Sequence, residues 1–255
     1  TEHCGEARGT RLQHRYGEAF SAAYREDTGP RTAAQDIERL ETLDASDGLV
    51  ISLYRPLEAP VGELRLKLYH AGEPISLSDV LPVLEDMGVR VIDERPYAIQ
   101  PHAGEQCWIH DFGLSHDPGL DLDAGRLRDA FQSGFAAIWR RQTDADGFNR
   151  LILRAGLAWR DIVILRAYAQ YLRQAGTAYS QPYVEATLAA HPALAAGLVE
   201  LFYARFDPAN ADAGRAERLA AELGEQLDAV ESLDEDRILR RMLAAIQATL
   251  RSNFF

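Results

Sequence analysis

The sequence predicts an α+β unit followed by a helical bundle. Runs in which apolar and polar residues alternate are confined to residues 49–112, and such alternation is typical of half-buried β-strands. On both sides of this region, apolar residues recur every three or four positions, as they do along one face of a helix. Four strands joined by short loops, with helices on one face, favour a small antiparallel sheet of the split-βαβ or ferredoxin-like class.

Residues 1–46 are predicted to form a helical lead-in to the sheet. An aromatic or leucine residue recurs every four positions from Leu12 to Tyr24, which is the spacing along one helical face. The pattern predicts one helix that ends at the Thr-Gly-Pro break of residues 28–30. A second, shorter helix follows, and its apolar side consists of Ile37, Leu40 and Leu43.

Four strands are predicted within residues 47–118. In the second strand, leucines on either side of Leu66 alternate with charged residues, which predicts that the leucines face a core. The third strand is expected to be interrupted near Pro96, because proline donates no hydrogen bond to a neighbouring strand. The predicted strands cover residues 49–54, 63–69, 89–99 and 106–112.

One helix is predicted between the second and third strands. Ser76 and Asp79 form a variant of the capping box that begins helices, and Gly88 suits the left-handed residue that ends one. Pro82 lies inside this stretch, so the helix is expected to begin later than the box or to carry a kink.

Residues 119–255 are predicted to be almost entirely helical. The stretch 159–174 is apolar around most of its circumference, which is typical of a helix at the centre of a bundle. Ser232 and Glu235 form a capping box ahead of the last helix. The predicted helices cover residues 127–138, 148–157, 159–174, 183–190 and 192–206, and two polar-rich helices follow a linker at 207–212.

The composition limits the classes of function. Acidic residues outnumber basic ones by 39 to 27, and the resulting net charge of -12 argues against binding to nucleic acid or to anionic membranes. Two cysteines, Cys4 and Cys107, cannot form a disulfide framework, which indicates a reducing compartment, the cytoplasm. No segment reaches the roughly 18 to 20 apolar residues needed to cross a bilayer. The polar start is not a signal peptide, and both ends are expected to be cut.

Two short motifs suggest a chemistry that the rest of the sequence does not support. Asp111-Phe-Gly113 matches the DFG motif of protein kinases, but the Gly-rich and catalytic loops are absent and the only lysine is Lys67. Asp111 is therefore predicted to end a strand, with Gly113 permitting a turn. Residues 144–147 match part of a calcium loop, but its twelfth position would be Leu153, where a glutamate is required. A surface turn between two helices is predicted instead.

A zinc site is the remaining metal hypothesis, since His102, Cys107, His110 and His116 lie close together in the sequence. Within a strand, however, Cys107 and His110 point to opposite faces, and no second ligand cluster accompanies them. The sequence also contains no GxGxxG, GxxxxGK[ST], GxSxG or HExxH motif. No catalytic, cofactor-binding or metal-binding residue is therefore predicted.

Several longer strings resemble one protein family. Residues 62–69, 74–88 and 91–97 resemble the non-catalytic N-terminal half of the large NAD-specific glutamate dehydrogenases of bacteria. The resemblance runs in order along nearly the whole chain. It also includes residues 108–112, 146–151, 168–176, 204–208 and 240–251.

The resemblance implies a domain organisation and a parent reaction. In that family ACT-like regulatory domains and helical segments precede the catalytic domain, so residues 47–118 would be an ACT-like domain and residues 119–255 a helical domain leading to a catalytic domain that is absent. The parent enzyme oxidises L-glutamate with NAD and water to 2-oxoglutarate, ammonia and NADH. The family's catalytic lysine and Gly-rich nicotinamide site match nothing here, so NAD is expected for the parent and no cofactor for this segment.

The implied function is that of a regulatory and assembly fragment whose partners are its own catalytic domain and further copies of the chain. ACT-like domains often bind amino acids, and the loop before the helix predicts effector binding at Gly72, Ser76 and Asp79. A plain turn with a helix N-cap is the favoured alternative for these residues. A stand-alone structural or amino-acid-binding module with no enzymatic role is the alternative for the whole chain, and an independent enzyme would need an unrecognised site.

Overall fold

The computed structural model describes residues 6–43, 48–56, 58–117, 119–120 and 125–255. The chain divides into two compact units, one of residues 1–85 and 89–119, the other of residues 86–88 and 120–255. Cys4 and the expected domain boundaries at 46–47 and at 118 lie outside the described residues.

The first part of the chain combines helices with a four-stranded sheet, and the predicted α+β class is confirmed. The sheet is wholly antiparallel with the strand order β1-β2-β4-β3, so two hairpins are joined through one helix. The elements are α1 Glu6–Tyr16, α2 Ala22–Asp27, α3 Pro30–Leu40, β1 Leu49–Tyr54, β2 Glu63–Ala71, α4 Leu77–Asp86, β3 Arg90–Ile99 and β4 Cys107–Ser115.

Both faces of the sheet are covered around β2. The leucines on either side of Leu66 are buried on one face, as their alternation predicts. His110 of β4 lies on the same face, and its Nε2 accepts the backbone N–H of Ile75, just before α4, at 3.2 Å. On the other face, the lead-in helices and the strands share one core, made of Tyr16, Ala19, Tyr24, Leu40, Tyr69, Tyr97, Ile99, Cys107 and Ile109.

The expectation of a single helix up to Tyr24 is wrong. The helix α1 ends at Tyr16, and Phe20 then forms an isolated β-bridge with Ile99. Ser21 begins α2 by accepting the backbone N–H of Tyr24 on its hydroxyl at 3.3 Å, which is the usual role of serine at an N-cap. The four-residue spacing instead reflects packing against one core, to which α1 contributes Tyr16, the bridge contributes Phe20 and α2 contributes Tyr24.

The interruption expected near Pro96 is also wrong. Strand β3 is continuous, and its irregularity is a shift of register between Val91 and Asp93. Pro96 is tolerated because β3 is an edge strand, where one side of the backbone needs no partner strand. Pro82 likewise lies inside α4, which begins at Leu77, directly after the predicted box residue Ser76.

The second unit is helical, as predicted. It consists of α5 Gly125–Trp139, a 3-10 helix Gly147–Arg150, α6 Leu151–Ala155, α7 Trp159–Gln174, α8 Gln181–Ala190, α9 Pro192–Phe206, α10 Ala213–Leu227 and α11 Leu233–Ala248. The expectation that α7 is surrounded by other helices holds for one side only. Ile162 and Leu165 are buried, whereas Tyr171 is 58% exposed.

The helices α8 and α9 are the most apolar pair. In the described part of the chain no single helix is long and apolar enough to cross a bilayer, and α8 and α9 pass that test only together, with a bend of 98° between them. Seven side chains of α9, Leu198 and Phe202 among them, are buried within the second unit.

Candidate functional site

Gly72, the first predicted effector residue, forms the turn that leaves β2. Its φ angle is 82°, in the region that favours glycine, and a Cβ here would lie 3.0 Å from Oε1 of Glu105. The N–H of Gly72 donates to the carbonyl oxygen of Gln106 at 2.8 Å, and its own carbonyl oxygen accepts from Nε1 of Trp108 at 3.0 Å. The polar groups of Gly72 therefore already serve the turn.

Ser76 and Asp79, the other two predicted effector residues, lie at the start of α4 and are exposed. The carbonyl oxygen of Ser76 accepts the backbone N–H groups of Asp79 and Val80 at 3.1 and 3.3 Å, which closes the first turn of the helix. These contacts are those of a plain helix start. Effector binding at the three residues stays a prediction.

The expectation that Asp111 ends a strand, with a turn at Gly113, is wrong. Both residues lie inside β4. Asp111 accepts from Nε of Arg65 at 2.8 Å, and burial raises the pKa of its carboxyl in spite of this ion pair. Gly113 faces Asp93 on the neighbouring strand, where a Cβ would come within 3.0 Å of the carboxylate. The glycine therefore makes room for a neighbouring acid within the sheet.

The calcium-like residues 144–147 connect α5 to the 3-10 helix, as a turn between helices, and hold an arginine. Arg166 of α7 is buried and donates to both carboxylate oxygens of Asp146, from Nε at 2.7 Å and from Nη2 at 2.9 Å. It also donates to Oγ1 of Thr143 at 2.9 Å and to Oδ1 of Asn149 at 3.2 Å. These acidic and polar groups fix the turn to α7.

The histidine and cysteine of β4 lie on opposite faces of the sheet. Cys107 belongs to the core under the lead-in helices, and burial raises the pKa of its thiol. His110 faces the other way, with Nδ1 2.9 Å from Oε1 of Glu94. Because its Nε2 accepts the N–H of Ile75, Nδ1 carries the proton and donates to the glutamate. Within the described residues, no three His, Cys, Asp or Glu side chains are arranged to hold a metal ion.

A buried polar group joins the lead-in helices to the sheet, and we call it the Asp36 cluster. It consists of Asp36 of α3, Lys67 and Tyr69 of β2, and Tyr24 of α2. Asp36 and Lys67 are each only 2% exposed, and Nζ of Lys67 lies 2.6 Å from Oδ2 of Asp36. The hydroxyls of Tyr24 and Tyr69 donate to the same carboxylate at 2.5 and 2.7 Å. Three donors thus compensate the burial of one carboxylate.

The tyrosines around the Asp36 cluster are held neutral. Burial, followed by the negative charge of Asp36, raises the pKa of both Tyr24 and Tyr69. Burial also raises the pKa of Tyr54, whose ring centre lies 5.8 Å from Nζ of Lys67. These hydroxyls can therefore donate hydrogen bonds at any physiological pH.

A cleft of about 620 Å³ opens above the Asp36 cluster, and we call it the α3 cleft. One wall is a face of α3 that carries Arg31, Gln35 and Arg39, and the opposite wall includes Ser52 and Tyr54 of β1. The Asp36 cluster contributes Asp36, Lys67 and Tyr69 to its floor. The volume is within the range of about 300–1,000 Å³ that is usual for small-molecule sites.

Sequence reasoning missed this cleft. Its walls come from α3 and from strands that are distant in sequence, so no local motif marks it. The only local signal was the four-residue spacing of Arg31, Gln35 and Arg39, which places all three on one helical face.

Comparison with protein families assigns the sheet and the helices to one class. Residues 48–127 match the ACT3 domain of glutamate dehydrogenase, and residues 1–43 and 143–208 match its helical motifs 2 and 3. The chain is thus of the class that combines an ACT domain with helical motifs. Residues 222–255 match the catalytic domain of bacterial NAD-glutamate dehydrogenase. The chain belongs to the family of large bacterial NAD-specific glutamate dehydrogenases.

Relatives named NAD-specific glutamate dehydrogenase align with nearly all of the chain. The protein of Halomonas elongata is 44% identical over 252 residues, which is 98% of this chain and 16% of the relative. Those of Pseudomonas aeruginosa and Mycobacterium tuberculosis are 42% and 41% identical, over 100% and 94% of this chain and 16% and 15% of the relatives. The chain therefore spans about one sixth of the length of these relatives.

Proposed function

We propose that the chain is a regulatory and assembly segment of an NAD-dependent glutamate dehydrogenase and has no catalytic site of its own. The parent enzyme would convert L-glutamate, NAD and water to 2-oxoglutarate, ammonia and NADH. The observation that carries the proposal is the match of residues 48–127 to an ACT domain, together with the antiparallel sheet found there. Matches to helical motifs on both sides support it.

The buried charges of the segment support a role without catalysis. Lys67 is bound to Asp36, and Arg166 to Asp146, at 2.6–2.7 Å. Each of these groups satisfies a partner inside the fold, so none is presented to a substrate with a proton to give or take. The proposed segment therefore positions and regulates the parent's catalytic domain, and that domain binds NAD.

An exposed apolar surface in the second unit supports the assembly role. A cleft of about 520 Å³ lies between α7, where it includes Tyr171, and residues 245–254, where it includes Phe254. Phe254 packs edge-on against Phe202 at 5.6 Å, and neighbouring Leu250 is 92% exposed. Exposed apolar patches of this kind are typical of contact surfaces.

We propose that the rest of the parent's catalytic domain covers this surface. Residues 222–255 match the catalytic-domain family, and one side of the cleft belongs to them. The surface is therefore continuous with a segment of the catalytic type. Further copies of the chain would assemble through other surfaces of the parent.

The effector part of the proposal is the predicted amino-acid site at Gly72, Ser76 and Asp79. Thermal unfolding of the chain with a panel of amino acids tests it, because a ligand that binds the native state raises its stability. Ser76→Ala should remove a selective shift, while Ser78→Ala, an equally exposed neighbour, should retain it. A panel without any shift at millimolar concentration would refute an effector at this loop.

Two measurements test the wider proposal. The 255-residue chain with L-glutamate and NAD should form no NADH, and turnover at the rate of the parent enzyme would refute the absence of a catalytic site. In the intact parent, Tyr171→Arg should weaken the contact with the catalytic domain and lower the thermal stability of the enzyme. Val61→Arg is the matched control, since Val61 is 69% exposed in the first unit. Equal behaviour of the two variants would refute the contact surface.

A further inference from the structure

We propose that the α3 cleft binds a small dicarboxylate, with one carboxylate on Arg31 and the other on Arg39. This inference goes beyond the proposed function and does not rest on it. Nothing in the predicted effector loop contributes to the cleft, which lies on the opposite face of the sheet from α4.

Three of the four acids that line the α3 cleft are already bound to partners in the fold. Asp36 is bound to Lys67 at 2.6 Å. Asp111 is bound to Arg65 at 2.8 Å, in a pair that is largely shielded from solvent. Asp27 accepts from the hydroxyl of Tyr97 at 2.7 Å and lies 3.3 Å from the guanidinium of Arg95. These carboxylates therefore contribute little repulsion to an incoming anion.

The two arginines of the α3 wall, Arg31 and Arg39, carry positive charges that no partner in the described part of the chain neutralises. Among the described residues, the guanidinium groups of Arg31 and Arg39 have neither a hydrogen bond nor an ion pair, although Arg39 is partly buried. Its charge reaches the floor of the cleft, where it opposes the rise in the pKa of Tyr69. On the opposite loop, Arg55 and Glu58 have opposite charges. The cleft thus offers two unmatched positive charges.

The spacing of the two arginines suits two carboxylates on one small molecule. Arg31 and Arg39 are eight residues apart on one face of α3, so their Cα atoms are about 12 Å apart. Each side chain can lean toward the other, and a guanidinium fork binds a carboxylate through two parallel hydrogen bonds. Gln35 lies between them, and Ser52 and Tyr54 line the same space. These groups suit a short polar chain between the two carboxylates.

Calorimetric titration of the 255-residue chain tests the inference with glutarate and succinate as probes. Glutarate should bind, and Arg31→Gln and Arg39→Gln should each weaken it at least about tenfold, because each removes a charge-assisted pair. Butyrate has one carboxylate and should bind at least about tenfold more weakly than glutarate. Arg11→Gln, an exposed change of equal charge on α1, should bind glutarate as the unaltered chain does.

Three results would overturn the inference. The first is failure of both glutarate and succinate to bind at millimolar concentration, and the second is binding of butyrate and inorganic phosphate as tightly as glutarate. The third is a loss of affinity in Arg11→Gln as large as that in Arg39→Gln, which would mean that only overall charge matters. The thermal unfolding of each variant is measured alongside, so that loss of binding is read only from folded protein.

Discussion

Replacing Lys67 with methionine should destabilise the first unit more than almost any other single change there. Methionine keeps most of the volume of the lysine stem but leaves the carboxylate of Asp36 buried without its cation. Breaking a buried ion pair in this way costs about 3–5 kcal/mol. The reciprocal change, Asp36→Asn, leaves the ammonium of Lys67 buried and should cost a similar amount. Asp111 lies directly across the β2–β4 ladder from Lys67.

The double variant separates the ion pair from its surroundings. With both changes present neither position 36 nor position 67 carries a charge, and the asparagine oxygen still accepts from a hydroxyl of Tyr24 or Tyr69. The remaining cost should be about 1–3 kcal/mol, that of an imperfectly satisfied polar group. The double variant should therefore be more stable than either single variant, with a coupling energy of about 3 kcal/mol or more, at or above the upper end of the usual range of about 0.5–3 kcal/mol.

Urea unfolding followed by tryptophan fluorescence measures these free energies. Trp108 reports on the first unit if Trp139 and Trp159 of the second unit are replaced with phenylalanine in every variant. Additive losses, with the double variant less stable than both single variants, would refute the account of Asp36 and Lys67 as a mutually dependent pair.

Three further predictions concern burial and charge. Leu66→Asp should unfold the first unit, at a cost above about 4 kcal/mol, because Leu66 is fully buried. Val61→Asp is the exposed control. An unchanged melting temperature for Leu66→Asp would mean that the strand face is reversed. Arg166→Gln should destabilise the second unit by about 3–5 kcal/mol in urea unfolding, because it breaks the buried ion pair with Asp146. Arg237→Gln, at an exposed ion pair, is the control, and equal stability of the two variants would contradict the role of the Asp146 pair. Burial raises the pKa of Tyr97 to about 12, above the ordinary 10.0, so the stability that its neutral hydroxyl contributes should be fully present below pH 10 and be lost as pH rises toward 12. Tyr97→Phe should lessen the loss of stability between pH 10 and pH 12 in urea unfolding, and an unchanged pH dependence in this variant would refute the role of Tyr97.

The strands could be predicted because their signal is local. Alternation around Leu66 specifies both the strand and its buried face, and the structure has both. The break after Tyr16 could not be predicted, since the apolar spacing continues through it and the bridge from Phe20 reaches Ile99, far along the chain. Pro96 misled for a related reason: its effect depends on whether the strand is at an edge, which only the sheet order determines.

The candidate site was hidden from the sequence for a physical reason. Asp36 and Lys67 are 31 residues apart, and an isolated acid on a polar helix is ordinarily an exposed residue. Only the packing of α3 against β2 shows that both are buried and paired. The calcium-like turn illustrates the same limit, because its acids bind Arg166, which lies 20 residues further along. Motif spacing tests known site geometries, but it does not identify a partner supplied by another helix.

The lead-in helices complete the core of the sheet, although they match a different family model from the strands. Tyr16, Tyr24 and Leu40 pack into one core with Tyr69 and Ile109. The Asp36 cluster adds an ion pair across the same boundary, which falls between residues 43 and 48 in the family matches. A sheet without the lead-in helices would expose this apolar face to solvent. It would also leave Lys67 of β2 without the carboxylate of Asp36 that binds it. The folding unit is therefore larger than the ACT domain, and the α3 cleft exists only where the two parts meet.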